Sequence, residues 1–251
     1  MKDAFGQESS CTANVTVIDS TPPIIACPND QTLDFADASG AIATFQVTIL
    51  SDNCPGVTAV CIPSSGSIFP IGTNNVTCVA TDLSGNKASC RFSIIVLGPF
   101  GVKKSVLDQL SALLGSAGDK GVRKELTEAI TEISETLIPS LWVDQTHLQP
   151  KKGEAVFKED KEVVKELSEL ANDKHNGIPN LRLQIAKLAK ADRLLATIAI
   201  SDAVNKGGKV KEINDANKAL AKSDNSIVRE KYEDAFEHLG GAWKEAIEAV
   251  K

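Results

Sequence analysis

The first 100 residues alternate between short apolar stretches and clusters of turn-forming residues. The apolar stretches are rich in Val, Ile, Thr and Phe, and Ser, Pro, Asn, Asp and Gly separate them. Short stretches with this composition and spacing predict the antiparallel strands of a β-sandwich. In the last stretch every second residue is apolar or cysteine, so these side chains should share one face. The stretches are 12–18, 41–50, 57–62, 73–81 and 88–97, and the alternating residues are Cys90, Phe92, Ile94 and Val96.

From Lys103 onward the apolar residues recur with helical spacing. Stripes of this kind, with polar residues on the opposite face, predict amphipathic helices packed as a bundle. The pattern predicts six helices, and glycines and prolines separate the first five, since the residue before a proline avoids helical geometry. The breaks are Gly115 to Gly118, Ile138-Pro139, Pro150, Asn176 to Pro179 and Gly207-Gly208; the last three helices are expected near 181–204, 209–222 and 226–250.

Charge and cysteine divide the chain at the same place. Residues 1–100 hold only 3 of the 27 Lys and Arg residues and 8 of the 33 Asp and Glu residues, but all six cysteines. Two such compositions in one chain predict two domains of different class. We expect a β-sandwich over 20–98, a linker over 99–102 and a helical bundle over 103–251.

The net charge of the chain argues against some classes of binding partner. The net charge is -6, which argues against a broad surface for nucleic acid or for anionic membrane. No apolar stretch reaches the roughly 18 residues of a membrane span, so none is predicted. The first 11 residues also lack the apolar core of a signal peptide.

An internal repeat links the start of the chain to the end of the predicted sandwich. Residues 3–11 match residues 82–90, and each copy leads into a predicted strand, ending at Val17 and Val96. A recurring unit of this kind indicates a modular array. We therefore expect residues 1–19 to be the terminal hairpin of an upstream module in which the given chain begins.

Several motifs follow one another in residues 20–97. They are PPIIACP at 22–28, SDNCPG at 51–56, FPIGT at 69–73, VTC at 76–78, ATDLSGN at 80–86 and ASCRF at 88–92. In this order they resemble the hyalin repeat (HYR), an immunoglobulin-like extracellular module. The resemblance implies an all-β immunoglobulin-like sandwich, followed here by an all-α helical bundle. It also implies a position outside the cell.

The same resemblance implies a disulfide pattern. Bacterial hyalin repeats often carry six cysteines that pair first with last, second with third and fourth with fifth. Carried over, this pairs Cys27 with Cys90 and Cys61 with Cys78, and it leaves Cys54 and Cys11 without their expected partners. A Cys11–Cys54 bridge is an alternative that spacing leaves open. Disulfides persist in oxidising compartments, which agrees with an extracellular position.

Metal binding offers two further hypotheses. Zinc is disfavoured, because no Cys-x-x-Cys pair occurs and all three histidines lie in the helical half. Calcium stays open as the one candidate cofactor. Asp19 lies between the two modules, and Asp52 and Asp82 lie in predicted turns, where oxygen ligands could bind the ion. Aspartate is also an ordinary turn residue, so these positions need no ion to explain them.

The helical half offers few candidates for chemistry. Its segments 141–150 and 191–200 resemble a helical domain that closes bacterial secreted repeat proteins, a resemblance that implies no activity. Trp142 and His147 could line a pocket, although a tryptophan at the bundle edge and a surface histidine explain them more simply. Acidic pairs such as Glu154 with Glu159 or Asp160 with Glu162 are expected on solvated helix faces. His147, His175 and His238 lack metal-binding spacing.

These observations predict a non-catalytic structural or adhesion module of a bacterial secreted or cell-surface protein. Loops on a rigid sandwich would bind an unidentified protein or carbohydrate ligand, as loops on rigid scaffolds commonly do. The alternative is the accessory C-terminal tail of a secreted enzyme whose catalytic domain lies upstream. No known catalytic motif supports an enzyme in this chain itself.

Overall fold

The computed structural model describes residues 4–8, 10–173 and 178–251. Within them, eight β-strands are followed by six α-helices, which confirms the predicted order of a β part and a helical part. The strands are β1 (Ile24–Ala26), β2 (Gln31–Asp34), β3 (Ala41–Ile42), β4 (Thr48–Ser51), β5 (Thr58–Ile62), β6 (Ile68–Phe69), β7 (Gly72–Thr81) and β8 (Lys87–Leu97). The helices are α1 (Pro99–Ser116), α2 (Lys120–Thr136), α3 (Glu154–Asn172), α4 (Leu181–Asn205), α5 (Val210–Val228) and α6 (Tyr232–Ala249).

The largest sheet has four strands in the order β2-β8-β7-β5. Strand β2 runs parallel to β8, and β5 runs antiparallel to β7. Two small antiparallel pairs, β1 with β4 and β3 with β6, complete the strands. On β8 the side chains of Phe92, Ile94 and Val96 are buried, which confirms the predicted alternation.

The predicted first strand does not form. Residues 12–18 have no regular secondary structure, and Val15 and Val17 are more than four-fifths exposed. A strand needs a neighbour to accept and donate its backbone hydrogen bonds, and the structure pairs no strand with this segment. The structure therefore describes no hairpin in residues 4–8 and 10–19, and the assignment of this segment to an upstream module stays a prediction. The predicted stretch 41–50 is also divided, between β3 and β4.

Contacts divide the chain into two compact units. The first comprises the residues up to Asp30, then Ala43–Ser67 and Asn75–Ser93. The second comprises Gln31–Ile42, Ile68–Asn74 and Ile94–Lys251, so it contains β2, β3 and β6 as well as the helices. Helix α1 begins at Pro99, a residue suited to the first helical position, so the predicted linker 99–102 is helical instead. The domain boundaries themselves stay a prediction.

The helices bury two hydrophobic clusters. The first cluster lies among α1 to α4, with Phe236 of α6, and includes Leu110, Leu126 and Leu188. The second joins the later part of α4 to α5 and α6 and includes Trp243. Helix α5 continues to Val228, beyond the predicted end at 222. The predicted break at Asn176-Gly177 lies outside the described residues.

The helices also bear on the question of a membrane span. In the part of the chain that the structure describes, no helix combines the length and the apolar character needed to cross a membrane.

Candidate functional site

Two disulfides join strands in the first unit. Cys27, which follows β1, is bonded to Cys90 of β8 with an S–S distance of 2.07 Å. Cys61 of β5 lies directly opposite Cys78 of β7, and their sulfur atoms are 2.10 Å apart. Bonds of this kind restrict the unfolded chain and so stabilise a part with a small core.

Two cysteines carry free thiols. Cys11 is exposed and Cys54 is half-buried. Interaction with the Asp19 carboxylate and partial burial raise the pKa of Cys54, and the charges of Asp52 and Asp82 add to the effect. Because the thiolate is the reactive form, Cys54 is a poor nucleophile near neutral pH.

The same corner of the first unit brings together the three predicted calcium candidates. One carboxylate oxygen from each of Asp19, Asp52 and Asp82 lies within 4.8 Å of the others. Asp82 is buried, with 5% of its surface exposed, and the other two are half-buried. Residues far apart in sequence thus form one cluster of oxygen atoms, the donor type that Ca²⁺ prefers.

Neighbouring groups donate hydrogen bonds to only some of the carboxylate oxygens in this cluster. Asp19 Oδ1 accepts hydrogen bonds from Asn53 Nδ2 and from the Thr21 amide, each 2.9 Å long, and these bonds lower the pKa of Asp19. Asp82 accepts hydrogen bonds from the side chain and the amide of Asn86, each 2.8 Å long. Asp19 Oδ2 and Asp52 Oδ1 are buried and have no hydrogen-bond partner. These oxygen atoms fit a cation, but calcium binding stays a prediction.

The second unit contains a mainly apolar cleft of about 290 Å³. His147 lines it, together with Trp243 rather than the predicted Trp142. Trp142 is buried instead, with its ring 5.1 Å from that of Phe100 and its Nε1 donating to the Thr136 carbonyl. The less favoured alternative, a pocket at His147, is therefore present, but Trp243 lines it and Trp142 does not.

The polar groups of this cleft mainly stabilise its own loop. Asp144 Oδ1 accepts hydrogen bonds from the backbone amides of Thr146 and His147, as an aspartate does in a tight turn. His147 Nδ1 lies 2.9 Å from the Asp144 carboxylate, and its Nε2 lies 3.5 Å from Asp202. Burial raises the pKa of Asp144, but its hydrogen bonds with His147 and Thr146 outweigh that effect and lower it overall. The Thr146 hydroxyl also donates a hydrogen bond to Asp144 Oδ1, at 2.9 Å, within the same turn.

The acidic residues of α3 fall into two groups. Glu154 and Glu162 contact lysines on the surface, as expected of a solvated helix face. Asp160 does not fit that expectation, because it is fully buried and paired with Lys103, which also contacts Asp192. Neither Lys103 nor Asp192 was a sequence candidate. His238 is half-buried, and His175 lies outside the described residues.

The disulfide-bonded β part has the features of an extracellular immunoglobulin-like module. Residues 18–96 match the family model described as the HYR domain, so the hyalin-repeat resemblance is confirmed for this part of the chain. The match covers less than a third of the chain, and the helical part has no family assignment.

Three curated relatives each match about a third of the chain. Hyalin of Strongylocentrotus purpuratus is 33% identical over 100 residues, which is 38% of this chain and 8% of that protein. "Sushi, von Willebrand factor type A, EGF and pentraxin domain-containing protein 1" of Rattus norvegicus is 39% identical over 83 residues, 32% of this chain and 2% of that protein. Its Mus musculus counterpart is 37% identical over 83 residues, again 32% of this chain and 2% of that protein. The chain thus spans less than a tenth of each relative's length. No solved structure matches. The family match and the disulfides support an extracellular, adhesion-type module.

Proposed function

We propose that this chain is a non-catalytic part of a secreted or cell-surface protein and that its HYR region binds a protein or carbohydrate ligand. The match of residues 18–96 to the HYR family is the observation that carries the proposal. Two disulfides in the same region support it, since they suit an oxidising extracellular setting. A bacterial source is supported only by the resemblance of segments 141–150 and 191–200.

The edge strand β5 is the surface that best fits a protein ligand. It is the last strand of the four-stranded sheet, so one side of its backbone pairs with no other described strand. Val60 and Ile62 on this strand are 63% and 73% exposed. An extended peptide can add to such an edge through backbone hydrogen bonds, while exposed side chains select its sequence.

Two features separate β5 from an ordinary surface strand. Its sequence, Thr58–Ile62, contains no charged residue, although soluble proteins usually protect edges with charges. The Cys61–Cys78 disulfide also fixes the strand to β7. A fixed edge loses little conformational freedom when a ligand binds, which favours affinity.

A binding screen with a matched pair of variants tests this proposal. The oxidised full chain is screened against arrays of glycans and extracellular-matrix proteins, and each hit is measured with the edge variant V60K/I62K. Lysine should weaken binding at least tenfold, because a charge on the edge disfavours strand addition. The control is V228K, which places lysine at another highly exposed valine, at the end of α5.

Three outcomes decide the proposal. Binding that V60K/I62K weakens and V228K retains supports both the adhesive function and the β5 surface. Binding that both variants retain supports adhesion but rejects β5. Absence of any bound ligand in the screen contradicts the adhesive function.

A further inference from the structure

Three charged side chains meet inside the helical unit. Lys103 lies in α1, Asp160 in α3 and Asp192 in α4, and none of the three side chains has any solvent exposure. Lys103 Nζ contacts Asp160 Oδ2 and Asp192 Oδ1. The remaining oxygens, Asp160 Oδ1 and Asp192 Oδ2, are buried and have no hydrogen-bond partner.

The surroundings make this cluster costly as a set of ions. Fully buried residues flank each member on its own helix, namely Val106, Val163 and Leu188. One ammonium and two carboxylates would leave a net negative charge where no water compensates it, which is strongly unfavourable. One carboxyl group is therefore expected to hold a proton.

The electrostatics identify the protonated carboxyl as Asp192. Burial, and next the nearby charge of Asp160, raise the pKa of Asp192 well above its usual value. Burial also raises the pKa of Asp160, and attraction to Lys103 opposes the rise at both carboxyl groups, so the repulsive charge of Asp160 is what distinguishes Asp192. The resting state is then a Lys103–Asp160 ion pair beside a neutral Asp192.

We propose that the Lys103 amine and the Asp192 carboxyl group condense to an intramolecular amide bond, an isopeptide, and that Asp160 transfers the protons. The geometry supplies the three parts such a reaction needs. Lysine provides a nucleophile, which becomes reactive when it is neutral. Asp192 provides a neutral carboxyl carbon, and Asp160 contacts the amine that must lose protons.

The atoms and charges of this step balance without a further reactant. The Lys103 ammonium gives one proton to the Asp160 carboxylate, and the neutral amine attacks Asp192 Cγ. The new C–N bond forms while the C–OH bond breaks. Asp160 accepts a proton from the nitrogen and delivers one to the departing hydroxyl, which leaves as water. Three ammonium protons and one carboxyl proton become one amide proton, two protons of water and one proton on Asp160.

The product relieves the cost described above. An amide and a neutral Asp160 remain, so no ion stays buried. Exclusion of water from the site also opposes the reverse hydrolysis. The bond would link α1 to α4 across 89 residues of sequence, which suits a chain that must resist pulling in an adhesive protein.

Mass spectrometry of the full chain tests the proposal directly. After reduction of the disulfides, the intact mass should be lower than the sequence mass by one water. Trypsin cleaves after lysine only when its amine is free, so an acylated Lys103 should be left uncut. We expect residues 92–104 as one peptide joined to residues 191–193, which contain Asp192. A link to residues 159–161 would overturn the assignment of Asp192.

An intact mass equal to the sequence mass, with cleavage at Lys103, would overturn the proposal without any variant. Three variants then test the roles of the three residues. K103R and D192A should each have their full sequence mass, because each removes one partner of the bond. D160A should lose most or all of the cross-link. A D160A protein that is cross-linked as fully as the wild type would overturn the role of Asp160. The control D215A removes a half-buried aspartate of α5 that pairs with Lys218, outside the cluster, and the protein should still lose one water.

Discussion

The two parts of the chain rely on different means of holding their elements together. In the first unit, two disulfides join β1 to β8 and β5 to β7, and few large side chains are buried beside them. The helical unit has no cysteine and instead buries two extended hydrophobic clusters. The stability of the β part therefore depends on an oxidising environment, whereas the stability of the helical part depends on the packing of its side chains.

The largest expected effect is the loss of stability when a buried side chain of the helical core is removed. Leu188 is fully buried in α4, and L188A should lower the free energy of unfolding by about 2–5 kcal/mol through lost burial and a cavity. The matched control L183A removes the same atoms from a side chain of the same helix that is 52% exposed. Urea denaturation followed by tryptophan fluorescence reports this unit, because both tryptophans lie in it. Equal losses in the two variants would contradict the described packing.

Removal of a disulfide should affect the other part. C61S/C78S frees β5 from β7, and we expect the β part to lose about 2–4 kcal/mol of stability. The tryptophan transition should remain where it is in the wild type. Circular dichroism and tryptophan fluorescence, followed in the same thermal scan, measure the two effects. A shift of the tryptophan transition as large as that of the β part would contradict separate stabilisation.

If calcium binds the three aspartates, it should stabilise the β part. Ca²⁺ at about five times its Kd should then raise the melting temperature of the β part by about 4–8 °C, the shift that about 1 kcal/mol gives in a domain of this size. D19N should abolish the shift, and D37N, at an exposed aspartate outside the cluster, should keep it. A melting temperature unchanged by calcium and by chelator would remove the ion from the account.

The smallest expected effect concerns the pH dependence of the helical unit. Burial, and next the charge of Glu166, raise the pKa of Glu132 to about 7. A folded-state pKa above the unfolded value means that stability falls as the pH rises from about 4.5 to about 7. E132Q should reduce this slope and stabilise the protein at pH 8, by less than about 1 kcal/mol because the site is partly solvated. Denaturation at pH 5 and pH 8 measures it, and an unchanged slope would reject the assignment.

Elements with a long regular pattern could be predicted from the sequence. The alternation from Cys90 to Val96 and the six helical stripes were sufficient, because each follows from local spacing. Strands β1, β2 and β6 have only two to four residues and depend on distant partners, so no local pattern reveals them. The segment 12–18 is the opposite case. It has the composition of a strand, but no described strand pairs with it and no strand forms there.

The candidate site residues could also be predicted only in part, because the sequence shows residue types in turns and helices but not which of them meet in the fold. Asp19, Asp52 and Asp82 could be proposed because aspartates in turns are visible in sequence, but their convergence depends on the fold. Asp160 was expected in solvent on the strength of its acidic neighbours. Its position one turn from the apolar residues Val156, Val163 and Val164 was the available indication that it is buried. Lys103 and Asp192 hold similar positions on α1 and α4.

The central claim, a disulfide-bonded extracellular module followed by a helical part, is tested most directly by a peptide map without reduction. The protein is made in an oxidising compartment, and its thiols are labelled before digestion. We expect peptides that join Cys27 to Cys90 and Cys61 to Cys78, with label on Cys11 and Cys54. Label on all six cysteines of a folded protein would contradict the disulfide framework and the extracellular location that it supports.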